Sequence, residues 1–317
     1  MSSPVEVLTN IWSTCQLQLS PTDPSKYLVQ EFIEDMVHHT SMEVIDVVYC
    51  VLVAVVFTVV RAGLNRCVYE PFVKKVDMDE KEALKFPESA FKVLYYALSW
   101  GFCYYLVVTK YELWNHPVDV WKDWERGMAI PLDIYGFYIF QLGLYLHALY
   151  ATCFLDDVRR DFIMMIVHHL LTIALIGFSF TIRYHLIGLI VIFLHDLNDV
   201  ILDGSKCLLY MQHRGGKVYP RWDHAATVGF LTFSVVWFIM RLYWYFYKVL
   251  YSTGYISIVT VPTGRFYLFF NGMLWLLFFI NIYWFYFILQ AMYRVVTGQE
   301  LKDTREREDK KEEMKKD

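Results

Sequence analysis

The sequence predicts an all-α polytopic membrane protein of about seven transmembrane helices enclosing a polar site. Three observations carry this. Of 317 residues, 56% are hydrophobic and 18% aromatic, with a mean hydropathy of +0.33; soluble domains hold roughly 45–50% apolar residues. The apolar residues fall into seven runs, each near the roughly 20 residues that cross a hydrocarbon core of about 30 Å. Two of those runs carry ionisable side chains, which in a bilayer face a bundle interior or a wet cavity. Each run must be helical, because a lone strand in lipid would leave its backbone groups unpaired.

In chain order the runs are residues 45–64, 90–109, 134–155, 162–180, 186–202, 226–247 and 266–292. Residues 1–43 are too polar for a signal-peptide core, so the first run is read as a signal-anchor or a true span. That segment holds Lys26 as its only Lys or Arg, against Glu6, Asp23, Glu31, Glu34, Asp35 and Glu43. The first loop holds Arg66, Lys74, Lys75, Lys81 and Lys85, the third Arg159 and Arg160, and the fifth Lys206, Arg214, Lys217 and Arg221. The basic bias predicts cytosolic odd loops, a cytosolic C-terminus and a lumenal N-terminus. The expected organisation is a lumenal segment 1–43, a membrane domain 44–297 and a charged tail 298–317, solvated or disordered. The net charge of -4 gives no reason to expect nucleic acid. The six cysteines, Cys15, Cys50, Cys67, Cys103, Cys153 and Cys207, form no CxxC pair and are read as small buried hydrophobes.

The polar residues concentrate in spans four and five. Span four contains His168-His169 and Thr172; span five contains His195-Asp196-Leu-Asn198-Asp199, then Asp203 and Lys206. His168 and Thr172 are four apart, as are His195 and Asp199, so each pair shares a helix face. Asp196, Asp199 and Asp203 form an acidic stripe, predicting that span five turns one polar side to a partner. Depth adds to spacing. At 1.5 Å per residue, His168 lies about 9 Å below the cytosolic surface, Asp199 about 6 Å, and His195 and His147 about 12 Å. Three helices thus place His and Asp in one layer open to the cytosol. The dipeptide His38-His39, before span one, faces no acidic span and is given no chemistry.

Imidazole beside carboxylate is general-base equipment near neutral pH. Such a layer suits acyl transfer from a water-soluble donor to a membrane-borne acceptor. A histidine would take the proton an alkylammonium must lose, or would itself carry the acyl group. Interhelical hydrogen bonding is the bland alternative. A metal set from His168, His169, His195 and Asp199 also competes, but membrane di-iron oxygenases need more histidines than these spans offer, and no metal is assigned. Arg159, Arg160, Lys206 and Arg214 stand at the expected cytosolic mouth, where they could meet phosphates. Arg241 falls in the lumenal half of span six and is read as snorkelling. Trp275, Tyr283, Trp284, Phe285 and Tyr286 crowd span seven, as a tunnel lining or as an interfacial belt.

At these residues the chain resembles the TLC-domain ceramide synthases. Arg160-Asp161-Phe162, His168-His169-x-x-Thr172, Gly188 and His195-Asp196-x-Asn198-Asp199, then Asp203 and Lys206, match the family's signature. Upstream, Lys85-Phe-x-Glu88-Ser89 and Tyr145-Leu-His147 are also similar, and the resemblance covers roughly residues 85–306. About 25 residues separate the first two runs, too few for the homeobox-like domain of many animal members. Arg183-Tyr184-His185, Arg214-Gly-Gly216 and Arg241-Leu-Tyr-Trp244 are similar to the branch that lacks it, a branch associated with stearoyl-CoA. Small departures are Asp203 where Glu is common, Phe91 where Trp is common and Asn198 where Ser is common.

The resemblance implies a TLC-type bundle in the endoplasmic reticulum that N-acylates sphinganine or sphingosine with a fatty acyl-CoA. The acyl-CoA is a co-substrate and no cofactor is implied. His168 and His169 would be catalytic, with His195, Asp196 and Asp199 orienting or tuning them. His147, Arg159, Arg160, Asp203, Lys206 and Arg214 are candidates for substrate contact. Acyl-length preference would belong to the loop before the last span, about residues 251–265. A homo- or hetero-dimer with other members is left open. The competing readings are a non-enzymatic TLC protein that binds or moves lipid, and a seven-span receptor, whose key polar groups would lie toward the outer side.

Overall fold

Seven helices of the computed structural model are long and apolar enough to cross a membrane: Val44–Lys75, Glu80–Lys110, Leu132–Phe154, Phe162–Thr181, His185–Tyr210, Pro220–Thr260 and Tyr267–Val296. They are called spans one to seven, and the chain is a multi-pass membrane protein. The structure describes residues 6, 9, 11–13, 15, 16, 28–39, 41–116, 118–125, 127–261 and 266–297. The charged tail from 298 onward and residues 262–265 lie outside them.

Each helix covers its apolar run to within one residue, and several extend beyond it. Span two starts ten residues before its run, with Asp79 as its N-cap and Glu80 and Glu82 in the first turn, where carboxylates face the positive end of the helix dipole. Span six starts with Pro220 in its first turn, where the missing N–H costs nothing. It then passes through π-helical turns over Phe238–Leu250 and Ser252–Ile256 and remains helical to Thr260. The first ten residues of the loop expected at 251–265 are therefore helix.

The contacts run in a chain from span one to three, four, seven, six, five and two. Spans two to seven thus ring a central space, with span one outside against span three. In lipid no hydrophobic force separates helix from solvent, so close packing and hydrogen bonds hold the ring. Small residues permit the approach. A Cβ at Gly143 would overlap Val53 of span one, and one at Gly188 would overlap the Tyr138 hydroxyl, which donates to the His185 carbonyl at 2.8 Å.

One end of the ring is closed by the loop between spans two and three. Its Trp121 is 2% exposed and donates from Nε1 to Ser252 Oγ at 2.8 Å. Lys248 donates to the Trp114 carbonyl at 2.7 Å. The opposite end carries the basic loops. There a hairpin, His213–Arg214 against Lys217–Val218, turns through Gly215 and Gly216 at φ 58° and 66°. It is tied to the linker after span one by Gly215 N–H to the Asp77 carbonyl at 2.6 Å. All six cysteines are free thiols; Cys50 and Cys103 are buried as expected, whereas Cys67 and Cys153 are exposed, on helix faces that look outward rather than into the ring.

Candidate active site

A cavity opens inside the ring toward the basic end. Spans three and four bring His147, His168 and His169 to its wall, and span five brings Asp199, Asp203 and Lys206. His147, His168 and Asp199 of the layer expected from helix depth thus share one cavity wall. His168 lies edge-to-face with Trp284 of span seven, ring centroids 5.0 Å apart, and 5.7 Å from His169. His169 Nε2 is 3.1 Å from Thr152 Oγ1. The Thr172 hydroxyl donates to the His168 carbonyl at 2.8 Å, the usual back-bond of a helical threonine. His168 Nδ1, His169 Nδ1, Trp284 Nε1 and Arg241 Nε are buried with no hydrogen-bond partner among the described residues. Buried polar atoms are ordinarily paired, so four unpaired ones along one wall mark a place for a polar ligand.

Span five does not present one polar side. Asp196 faces spans two and three, Asp199 span six and Asp203 span two, because the helix is packed on several sides. Asp196, fully buried, accepts a short hydrogen bond from Ser99 and one of 3.2 Å from Gln141. Asp199 accepts from Arg241 at 2.8 Å. Asp203 accepts from Ser89 at 3.3 Å and pairs with Lys206 at 3.0 Å. His195 is also off the cavity wall. Its Nδ1 is 2.7 Å from the Val191 carbonyl and its Nε2 is 3.2 Å from Asn281 Nδ2. Both nitrogens are occupied, with the proton on Nδ1 and Nε2 accepting.

Arg241 corrects the sequence reading. It does not snorkel: it is 3% exposed, pairs with Asp199, donates to the His195 carbonyl at 2.9 Å and lies 4.1 Å from the Trp237 ring centroid. Pro220–Thr260 is far longer than its apolar run, so position 241 falls at mid-helix, facing inward.

At the mouth, Arg61 pairs with Asp156 at 2.5 Å and Lys92 with Glu88 at 2.5 Å and Asp156 at 3.5 Å. Arg159 joins Glu88 at 2.7 Å. Arg61, Lys92 and Asp156 line the cavity and were missed from sequence. The signal was available for two of them: Arg61 and Lys92 lie inside apolar runs, where a charge calls for a function. Arg159 is on the wall as expected; Arg160 is not among the lining residues. Arg214 is on the hairpin instead, its guanidinium 4.8 Å from the Tyr219 ring centroid and 5.6 Å from that of Trp222. Beyond the charged mouth the wall is apolar, with Leu202, Phe233, Trp237, Phe287 and Ile288. Among the described residues no group of three or more His, Cys, Asp or Glu is arranged to hold a metal ion.

Comparison with known proteins accounts for this combination. The family model of the TLC domain matches residues 85–290. Human ceramide synthase 1 (Homo sapiens) is 40% identical over 86% of this chain and 78% of its own length, and the mouse protein of that name (Mus musculus) 38% over the same shares. A rice protein (Oryza sativa subsp. japonica) called ASC1-like protein 1 is 31% identical over 82% of this chain and 90% of its own. The chain belongs to the TLC-domain ceramide synthases. It is therefore an acyltransferase. The matched region spans every residue of the cavity wall except Arg61 of span one and Ala291 at the end of span seven. For a ceramide synthase the two zones of the wall have an evident use. The apolar part suits hydrocarbon chains, and the charged mouth suits polar head groups.

Proposed function

We propose that this ceramide synthase transfers a long-chain acyl group, stearoyl foremost, from CoA to the amine of sphinganine or sphingosine. His168 and His169 are its catalytic pair. The observation that carries this is the position of the two rings on a wall that combines an ion-paired mouth with apolar side chains, with both Nδ1 atoms unpaired. The amine, once neutral, attacks the thioester carbonyl. The C–N bond forms, the C–S bond breaks, and the nitrogen's surplus proton passes through a histidine to the CoA sulfur. The products are a (dihydro)ceramide and free CoA thiol. General acid–base help of this kind is worth roughly 10²–10⁴ in rate.

The same reading sets the basic end in the cytosol of the endoplasmic reticulum, so that acyl-CoA enters there, and sets the N-terminus in the lumen. The experiment uses membranes of cells lacking their own ceramide synthases, given sphinganine and saturated acyl-CoAs from palmitoyl to lignoceroyl. Stearoyl product is expected to dominate. Dominance of another donor would overturn the stearoyl assignment, and no product from any donor would overturn the activity. In sealed microsomes, an N-terminal tag is expected to be protected from protease and a C-terminal tag digested; the reverse would invert the orientation.

A further inference from the structure

Span three brings a third histidine to the cavity that the transfer step does not use. His147 is 2% exposed. Its ring stacks on Phe57 of span one, centroids 6.1 Å apart, and meets the edge of Phe91 of span two at 5.9 Å. Its Nδ1 is 2.9 Å from Thr58 Oγ1, and Thr58 Oγ1 is itself 2.9 Å from the Ala54 carbonyl. A hydroxyl has one hydrogen. Thr58 gives it to the carbonyl, the back-bond of a helical threonine, so it accepts from His147 Nδ1–H. This fixes the neutral tautomer, with the proton on Nδ1 and the lone pair on Nε2. His147 lines the cavity, and its Nε2 has no hydrogen-bond partner among the described residues. The arrangement depends on Gly143, one turn earlier, where the lack of a Cβ lets span one close on span three.

We infer that His147 Nε2 is a fixed hydrogen-bond acceptor for a hydroxyl of the sphingoid head group, and so a specificity residue. The inference rests on the reading of the cavity as the acyltransfer site. Two observations favour the sphingoid base over the acyl donor as its partner. Around the ring of spans two to seven, contact between successive helices is sparsest between spans two and three, where His147 and Phe91 stand. Span one, itself mostly exposed with 17% of its apolar stretch buried against 56% in span three, is the one helix that covers this gap from outside. A membrane-borne amphiphile presents its hydroxyls there. Phosphates, which only accept, gain nothing from a bare lone pair.

The test pairs His147→Asn, which keeps an N–H for Thr58 and removes Nε2, with His147→Gln, which returns a polar atom near Nε2. Apparent KM for sphinganine is expected to rise about threefold to tenfold in His147→Asn, the worth of one hydrogen bond. The effect should fall on that KM rather than on kcat or on the KM for stearoyl-CoA. Preference for sphinganine over either 1-deoxysphinganine or 3-ketosphinganine should collapse, and His147→Gln should restore part of it. Unaltered selectivity among the three bases, or a rise in the acyl-CoA KM instead, would overturn the inference. Retention of radiolabelled sphinganine by the purified chain needs no turnover, so the inference can fail or stand apart from the activity. If His147→Asn is not recovered from membranes, Thr58→Val carries the test. It leaves the ring but unpins its proton, and an unchanged sphinganine KM would again count against the acceptor.

Discussion

Replacing His168 with alanine is expected to lower ceramide formation at least a hundredfold, and His169→Ala to do the same, with the protein still present in the membrane. The magnitude is that of a lost acid–base group, roughly 10²–10⁴. Retention of the protein follows from the local contacts. His168 makes no side-chain hydrogen bond that holds the bundle, and its ring contact with Trp284 is an edge-to-face packing contact. His169 loses one bond, to Thr152. His195→Ala is the contrast, because that ring is bonded at both nitrogens between span five and Asn281 of span seven. Its loss should appear first as less folded protein and a lower melting temperature in detergent. Product per folded molecule, measured beside membrane abundance, separates the cases. Full activity in His168→Ala or His169→Ala would remove that histidine from the chemistry.

The seven spans were legible because hydropathy reports the one property lipid demands. What it could not report was helix outside the hydrocarbon. The segment Glu80–Ser89 is polar and helical, and it carries Glu88 and Ser89 to the mouth. Of the layer read from helix depth, His147, His168 and Asp199 reach the cavity wall, whereas His195 does not. Azimuth was not legible. Residues three apart on a helix differ by about 60° in direction at 3.6 residues per turn. On a surface helix that difference is minor, but span five is packed on several sides, and it sends Asp196 to spans two and three and Asp199 to span six. Arg61 and Lys92 needed only the rule already applied to spans four and five. Asp156 lies in a loop, and only its partners give it meaning.

Asp199→Ala is expected to be among the most destabilising single changes in the bundle, and the reason is the cation it leaves behind. The Asp199–Arg241 pair is asymmetric: the Arg241 side chain is 3% exposed and that of Asp199 20%. Removing one partner of a buried pair costs about 3–5 kcal/mol, chiefly because the other charge stays desolvated. Arg241 would keep the His195 carbonyl and the face of Trp237, which places the loss toward the lower end of that range. Arg241→Met strands a carboxylate that already opens on the cavity, so its cost should be smaller. The double change Asp199→Leu with Arg241→Met removes both charges and should melt near the parent, since apolar replacement of a buried pair is often neutral or stabilising. Thermal unfolding in detergent orders the three variants. Equal melting of Asp199→Ala and parent would mean that the cavity itself solvates Arg241. Acylation then separates two roles that stability alone would merge. A double variant that folds but forms no ceramide places the pair in the chemistry beside His168, whereas one that folds and acylates leaves it only the task of joining spans five and six.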